Sequence, residues 1–217
     1  MAENKEKKVS KKKEKIKIKD VDFIEFKIIT LGDSGVGKTS IIKRFYDNSF
    51  NSNNASTIGM NCVVKDLYFN KQKVSLKLVD TCGQERYRAL TKSYLKNVNA
   101  VFFVFAFNDK DSFDNINEWM EFFKENYRIN EIPHILLGNK CDLNGEIDEN
   151  IIDEYVKTNK LKYIKTSAKD NINIKDSFEE LVRMLYQKDK PSNKQENKFL
   201  ISYKQPKRKH CMQCILE

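Results

Sequence analysis

The stretch Gly32-Asp33-Ser34-Gly35-Val36-Gly37-Lys38-Thr39 constrains this chain most, because it dictates its own backbone and what must flank it. Ahead of it Ile24, Phe26 and Ile28 alternate as in a strand that runs on to Leu31. Behind it Ile41, Ile42 and Phe45 recur at helical spacing. A strand that enters a glycine-rich turn and leaves as a helix is the start of a parallel sheet with helical crossovers. In that setting Gly32, Gly35 and Gly37 let successive backbone N–H groups point inward at anionic oxygens, and the helix start adds its positive end. The cradle is expected to run from Asp33 through Ser40. Lys38 reaches the outer phosphates of a nucleotide there, and the Thr39 hydroxyl is placed to ligate Mg²⁺.

The rest of the chain continues the alternation of strands and helices. Residues 47–55 form a polar loop rich in Asn and Ser. Around Asn70-Lys71 two strand-like runs read as a hairpin. In the second run Val74, Leu76 and Leu78 alternate with Ser75 and Lys77, as for a pair with one covered face. Residues 100–107 are apolar without alternation, the pattern of a central parallel strand buried on both faces. Ser112 is placed as the N-cap of a helix carrying Phe113, Ile116, Trp119, Met120 and Phe123. Residues 135–137 and 161–164 read as short strands and 149–157 as a helix. Ile174, Phe178, Leu181, Val182 and Leu185 mark the last helix. The expected fold class is α/β, a mostly parallel six-stranded sheet with one antiparallel edge strand and helices on both faces.

Sheets of this kind bind ligands beyond the carboxyl ends of their strands, and three further motifs fall at such ends. In Asp80-Thr81-Cys82-Gly83-Gln84, Asp80 can hold a metal-bound water beside the phosphates. Gly83 clears space for a backbone N–H at the γ-phosphate, and Gln84 can both accept from and donate to an attacking water and a phosphate oxygen. Thr57, at the end of the Asn-rich loop, reads either as the second protein oxygen on Mg²⁺ or as a Thr opening the next strand. In Asn139-Lys140-Cys141-Asp142 the carboxylate of Asp142 can accept from the ring N–H and exocyclic amine of guanine, donors that adenine lacks on that edge. Asn139 and the Ala168 backbone N–H, from Thr166-Ser167-Ala168-Lys169, would complete the edge, with the stems of Lys140 and Lys169 against the ring faces.

The formal net charge of +9 raises the question of a nucleic-acid binder, and its distribution answers it. Residues 1–19 hold nine Lys against three Glu, and residues 188–217 hold eight Lys or Arg against three acidic residues. The ends together exceed the total, so the body, 20–187, is slightly acidic. That favours contact with an anionic membrane surface over a basic groove, and no nucleic-acid partner is expected. Residues 1–19 read as a disordered Lys/Glu-rich extension, 20–187 as one domain and 188–217 as a basic flexible tail. The odd count of five Cys fits a reducing compartment, the Lys-rich start carries no apolar leader, and no apolar run is long enough to span a bilayer.

With these residues in view the chain resembles the Ras superfamily of small GTPases over about 24–187, and within it the Rab family most closely. Gly32 through Ser40, Ser56-Thr57-Ile58-Gly59, Gln84-Glu85-Arg86-Tyr87-Arg88 and Asn108-Asp109-Lys110-Asp111-Ser112-Phe113 carry the resemblance. It implies a small G domain of the P-loop NTPase fold that binds GTP or GDP with Mg²⁺ and hydrolyses GTP slowly. It also implies a membrane-attached switch in vesicle trafficking. The implied partners are exchange factors, GTPase-activating proteins, effectors and a Rab-type carrier, with the chain itself a monomer. The expected location is the cytoplasm, peripheral on the cytosolic face of an endomembrane or the plasma membrane. Met60-Asn61-Cys62, Val79 and Cys82 depart from the Rab pattern. Val79 and Cys62 are expected to alter the aromatic surface that Rabs offer to effectors. The tail ends Cys211-Met212-Gln213-Cys214-Ile215-Leu216-Glu217, in which Cys214 stands as in a C-a-a-X prenylation site and Cys211 is a second candidate for lipid. Two rival readings are a nucleotide-locked module that has lost useful hydrolysis, suggested by Cys82, and a kinase built on the same phosphate loop.

Overall fold

The computed structural model describes residues 24–52, 61–69, 72–82 and 95–189. Thr57, Gly83, Gln84, Cys211 and Cys214, the extension 1–19 and the tail from 190 onward lie outside the described residues. The elements follow the expected order, with strands β1 (Ile24–Leu31), β2 (Asn61–Phe69), β3 (Gln72–Asp80), β4 (Ala100–Ala106), β5 (His134–Asn139) and β6 (Tyr163–Lys165). The helices are α1 (Lys38–Asp47), α2 (Lys110–Asp114), α3 (Ile116–Lys124), α4 (Glu149–Thr158) and α5 (Ile174–Asp189). Among the described residues the strands form one sheet in the order β2-β3-β1-β4-β5-β6. Every neighbouring pair is parallel except β2 with β3, which places the antiparallel strand at one edge.

The sheet's two faces build two cores, and strand periodicity sorts residues between them. Along β4, Phe102, Val104 and Ala106 enter the core covered by α1 and α5, whereas Val101, Phe103 and Phe105 enter the core covered by α3. All of β4 is buried, as its unbroken apolar run requires. On the first face Phe45 of α1 stacks on Phe178 of α5 with ring centroids 3.8 Å apart. On the second face Ile116, Trp119 and Phe123 of α3 are all but fully buried.

Two local expectations are corrected. The N-cap is Asp109, not Ser112: the Asp109 carboxylate accepts from the Ser112 N–H at 3.1 Å, as a cap residue does from the third helical position. Ser112 lies inside the short helix α2, fully buried, where its hydroxyl donates to Asp109 O and accepts from Ala106 N–H at the end of β4. The second correction concerns β3, whose Val74, Leu76 and Leu78 enter one core while Val79, on the opposite face, enters the other. Ser75 is buried through a 2.6 Å bond to Asp66 of β2, and Val79 packs into the core beneath α3 at 2% exposure. Val79 therefore sits in the layer under the surface rather than forming a patch that a partner could touch. Cys62, opposite it on β2, is half-buried against the same core.

Pairing alone brings the expected functional segments together. β1 lies between β3 and β4, and the chain leaves it toward one side of the sheet and later returns to the other. The turn after β1 thus opens at a topological switch point, where crevices form in sheets of this kind. Asp80, Asn139 and Thr166 follow or end strands at that same rim.

Candidate functional site

The glycine turn is shaped by close approaches as well as by torsion. At Gly32 (φ 148°) a Cβ would lie 2.1 Å from Val104 O, and at Gly37 (φ 97°) 2.3 Å from Asn139 Nδ2. Gly37 is also the N-cap of α1 and supplies no side-chain cap, so the first turn of the helix presents its N–H groups without a side-chain acceptor from that position. Such an end attracts anions.

Lys38 lies at this end and is 4% exposed, with Nζ donating to Gly32 O at 2.9 Å and Asp33 O at 2.6 Å. Burial lowers its pKa to about 8, against the opposing pull of Asp80, Asp33 and Cys82. The next residue, Thr39, donates its hydroxyl to Asp80 Oδ2 at 2.7 Å. Asp80 Oδ1 is buried and has no hydrogen-bond partner among the described residues, and burial raises the carboxyl pKa more than Thr39, Lys38 and Lys43 lower it. A carboxylate oxygen of this kind beside a hydroxyl is a hard oxygen pair suited to Mg²⁺. Thr81 fixes the strand end beneath them by donating to Thr30 O at 2.6 Å, while Thr30 donates to Val79 O at 3.3 Å.

At the other end, Asp142 is held with only 6% of its side chain exposed. Its Oδ1 accepts from Ser167 Oγ at 2.6 Å, and its Oδ2 lies 3.6 Å from Lys169 Nζ. Lys140 adopts the left-handed conformation (φ 62°), uncommon for a residue with a long side chain, and turns the loop so that Leu143 N–H reaches Lys140 O at 3.0 Å. Ser34, Gly35, Gly37, Lys38, Thr39 and Ser40 share one cleft of about 280 Å³ with Asn139, Lys140, Asp142, Ala168 and Lys169.

Several of the expected residues also make bonds within the protein. The Asp33 side chain turns away from the cleft, accepting from Trp119 Nε1 at 2.6 Å and Asn115 Nδ2 at 2.8 Å. Val36 is a core residue whose carbonyl accepts from Asn139 Nδ2 at 2.8 Å. Asn139 Oδ1 in turn accepts the Ala168 N–H at 3.2 Å. Asn139 therefore ties the phosphate loop to the 166–169 segment. Ser167 is fully buried and acts on Asp142. Phe50, Asn51, Ser52, Thr81 and Leu143 also line the cleft without a role expected from the sequence. A lone aromatic within the Asn- and Ser-rich loop was the available signal for Phe50.

Comparison with known proteins agrees with this geometry. A match to the Ras family spans residues 27–187. Rab-13 of Rattus norvegicus is 34% identical over 160 residues, covering 73% of this chain and 78% of its own. The GTP-binding protein YPT1 of Saccharomyces cerevisiae is 32% identical over 180 residues, covering 82% and 84%. Rab-8A of Bos taurus is 34% identical over 167 residues, covering 76% and 80%. The chain belongs to the Ras family and is a GTPase. Within that family it is a divergent Rab-like member.

Proposed function

We propose that the cleft binds GTP or GDP with Mg²⁺, hydrolyses GTP slowly, and makes the chain a membrane-attached switch in vesicle trafficking. The observation that carries this reading is the single cleft with a phosphate cradle and the Thr39–Asp80 oxygen pair at one end and a sheltered carboxylate, Asp142, at the other. In this reading the backbone N–H groups of 34–38 and the Lys38 ammonium hold the phosphates. Lys38 exchanges its two carbonyl acceptors for phosphate oxygens. Asp142 accepts from the guanine edge, while Ser167 orients it and the Lys140 and Lys169 stems flank the ring. Thr39, Asp80 and Thr57 are the residues that would hold Mg²⁺, which neutralises charge on the phosphates when bound. Gln84 orients the attacking water and Gly83 offers its N–H to the γ-phosphate. The basic tail 188–217 and lipid on Cys214 or Cys211 hold the protein on a cytosolic membrane face, since one lipid chain alone anchors weakly. Among the described residues no helix is long and apolar enough to cross a membrane.

The test is direct. Nucleotide extracted from purified full-length protein is identified by chromatography, and protein loaded with GTP and Mg²⁺ is followed for phosphate release in a single turnover. Co-purification of guanine nucleotide and slow release of inorganic phosphate support the reading. ATP competing as well as GTP would overturn the base assignment. GTP retained with no phosphate release, even with an activating protein, would favour the nucleotide-locked alternative.

A further inference from the structure

Arg44, in the last turn of α1, makes more directed contacts than any role given to it so far requires. Its Nε donates to Ala168 O at 2.8 Å and its Nη2 to Lys169 O at 2.9 Å. Its Nη1 donates to Asn48 O at 2.8 Å and lies 3.3 Å from Asn48 Oδ1. Asn48 returns its N–H to Arg44 O at 3.1 Å while adopting the left-handed conformation (φ 59°) that ends the helix. The guanidinium carbon lies 5.9 Å from the centroid of the Phe50 ring, within reach of a cation–π contact. One side chain thus grips two loops more than a hundred residues apart in sequence. One carries Ala168 and Lys169, and the other carries Phe50. All three line the cleft, and Arg44 itself does not.

We propose that Arg44 is a positioning residue for the guanine end of the cleft. It holds the Ala168–Lys169 wall and the Phe50 wall at a fixed separation, and so sets how long a nucleotide stays bound. The proposal rests on reading the cleft as a guanine-nucleotide site. A guanidinium suits the task because its planar fork directs donors at several converging carbonyls at once, which a single ammonium cannot do. The phosphate and metal end is held by other residues, namely Lys38, Thr39 and Asp80. Loosening Arg44 therefore acts on dissociation through the base end alone.

The experiment loads full-length protein with fluorescent GDP and chases it with unlabelled GDP, for the parent, Arg44→Ala and Arg44→Lys. Loss of the charge-assisted bonds in Arg44→Ala raises the dissociation rate about tenfold or more. The factor is the same when fluorescent GTP is the probe, and the same again in excess EDTA, because neither the γ-phosphate nor the metal is involved. Arg44→Lys keeps one donor group and the contact with Phe50, so its rate lies between those of the parent and Arg44→Ala, roughly threefold above the parent. A general loss of folding would not produce that graded rescue. The proposal is overturned if Arg44→Ala changes the rate by less than about twofold, if the increase disappears in EDTA, or if Arg44→Lys is no slower than Arg44→Ala. Should Arg44→Ala fail to fold, Arg44→Lys decides alone, and a rate equal to the parent's overturns the proposal. A parent that takes up no GDP removes the nucleotide reading itself, a failure visible before any variant is compared.

Discussion

Asp33 offers the sharpest energetic test, because its carboxylate joins the phosphate loop to the start of α3 through two donors, one of them the indole of buried Trp119. Trp119 Nε1 reaches Asp33 Oδ1 at 2.6 Å and Asn115 Nδ2 reaches Oδ2 at 2.8 Å, while Trp119 is 1% exposed. Asp33→Ala removes the acceptor of both bonds. A hydrogen bond to a charged group is worth about 1.5–3 kcal/mol, and a buried donor left unsatisfied costs a similar amount. The pair should cost about 3 kcal/mol together, which for a domain of this size lowers the melting temperature by roughly 6–12 °C. Trp119→Phe removes the donor and keeps most of the ring packing, and the double variant should cost less than the two single changes added. The coupling energy expected from the cycle is about 1.5 kcal/mol or more. Urea unfolding at a fixed saturating excess of GDP, followed by circular dichroism so that loss of the only Trp does not remove the signal, measures all four proteins under equal linkage. A coupling indistinguishable from zero would mean that the two side chains act independently and that the tie does not hold the loop.

Three further outcomes are expected. Lys38 has its pKa lowered from 10.5 to about 8 in the folded state, so the native protein binds fewer protons than the unfolded chain between those values. Ligand-free stability should therefore rise with pH across that window by about 3 kcal/mol from this group, and GDP binding, which favours the charged form, should take up a proton near pH 9; calorimetry in two buffers of different ionisation enthalpy that finds no uptake would refute it. Gly37→Ala places a Cβ 2.3 Å from Asn139 Nδ2 at a φ of 97°, so GDP affinity should fall by about a hundredfold or more, as equilibrium titration of purified protein would read. Asp142→Asn exchanges an acceptor for a donor and should shift preference from guanine toward xanthine nucleotides, checked by competition with GTP, ATP and xanthosine triphosphate.

The fold was largely legible because its strands carry their burial in their composition. The unbroken apolar run from Ala100 and the helical spacing from Ile174 to Leu185 allow few other structures. Asp109 was not legible as the cap, since two side chains three residues apart can both act as caps, and only the packing of Ser112 against Ala106 excludes one. The placement of Val79 was missed for a different reason. A sequence shows that a strand alternates but not what lies against its second face, where Val79 meets the core beneath α3 and Ser75 is bonded to Asp66.

At the site, residue types that serve the cleft were readable, whereas the direction of each side chain was not. Asp33, Val36 and Asn139 belong to the expected motifs, yet each is spent on holding the motifs to one another or to the core. Asn139 is the clearest case. Its amide receives the Ala168 N–H and donates to Val36 O, so the loop that faces phosphates and the segment beside the base share one rigid connection. Gly37 must lack a Cβ because that amide occupies the space. The residues joined in this way are those least able to vary independently, even though only some of them face the cleft.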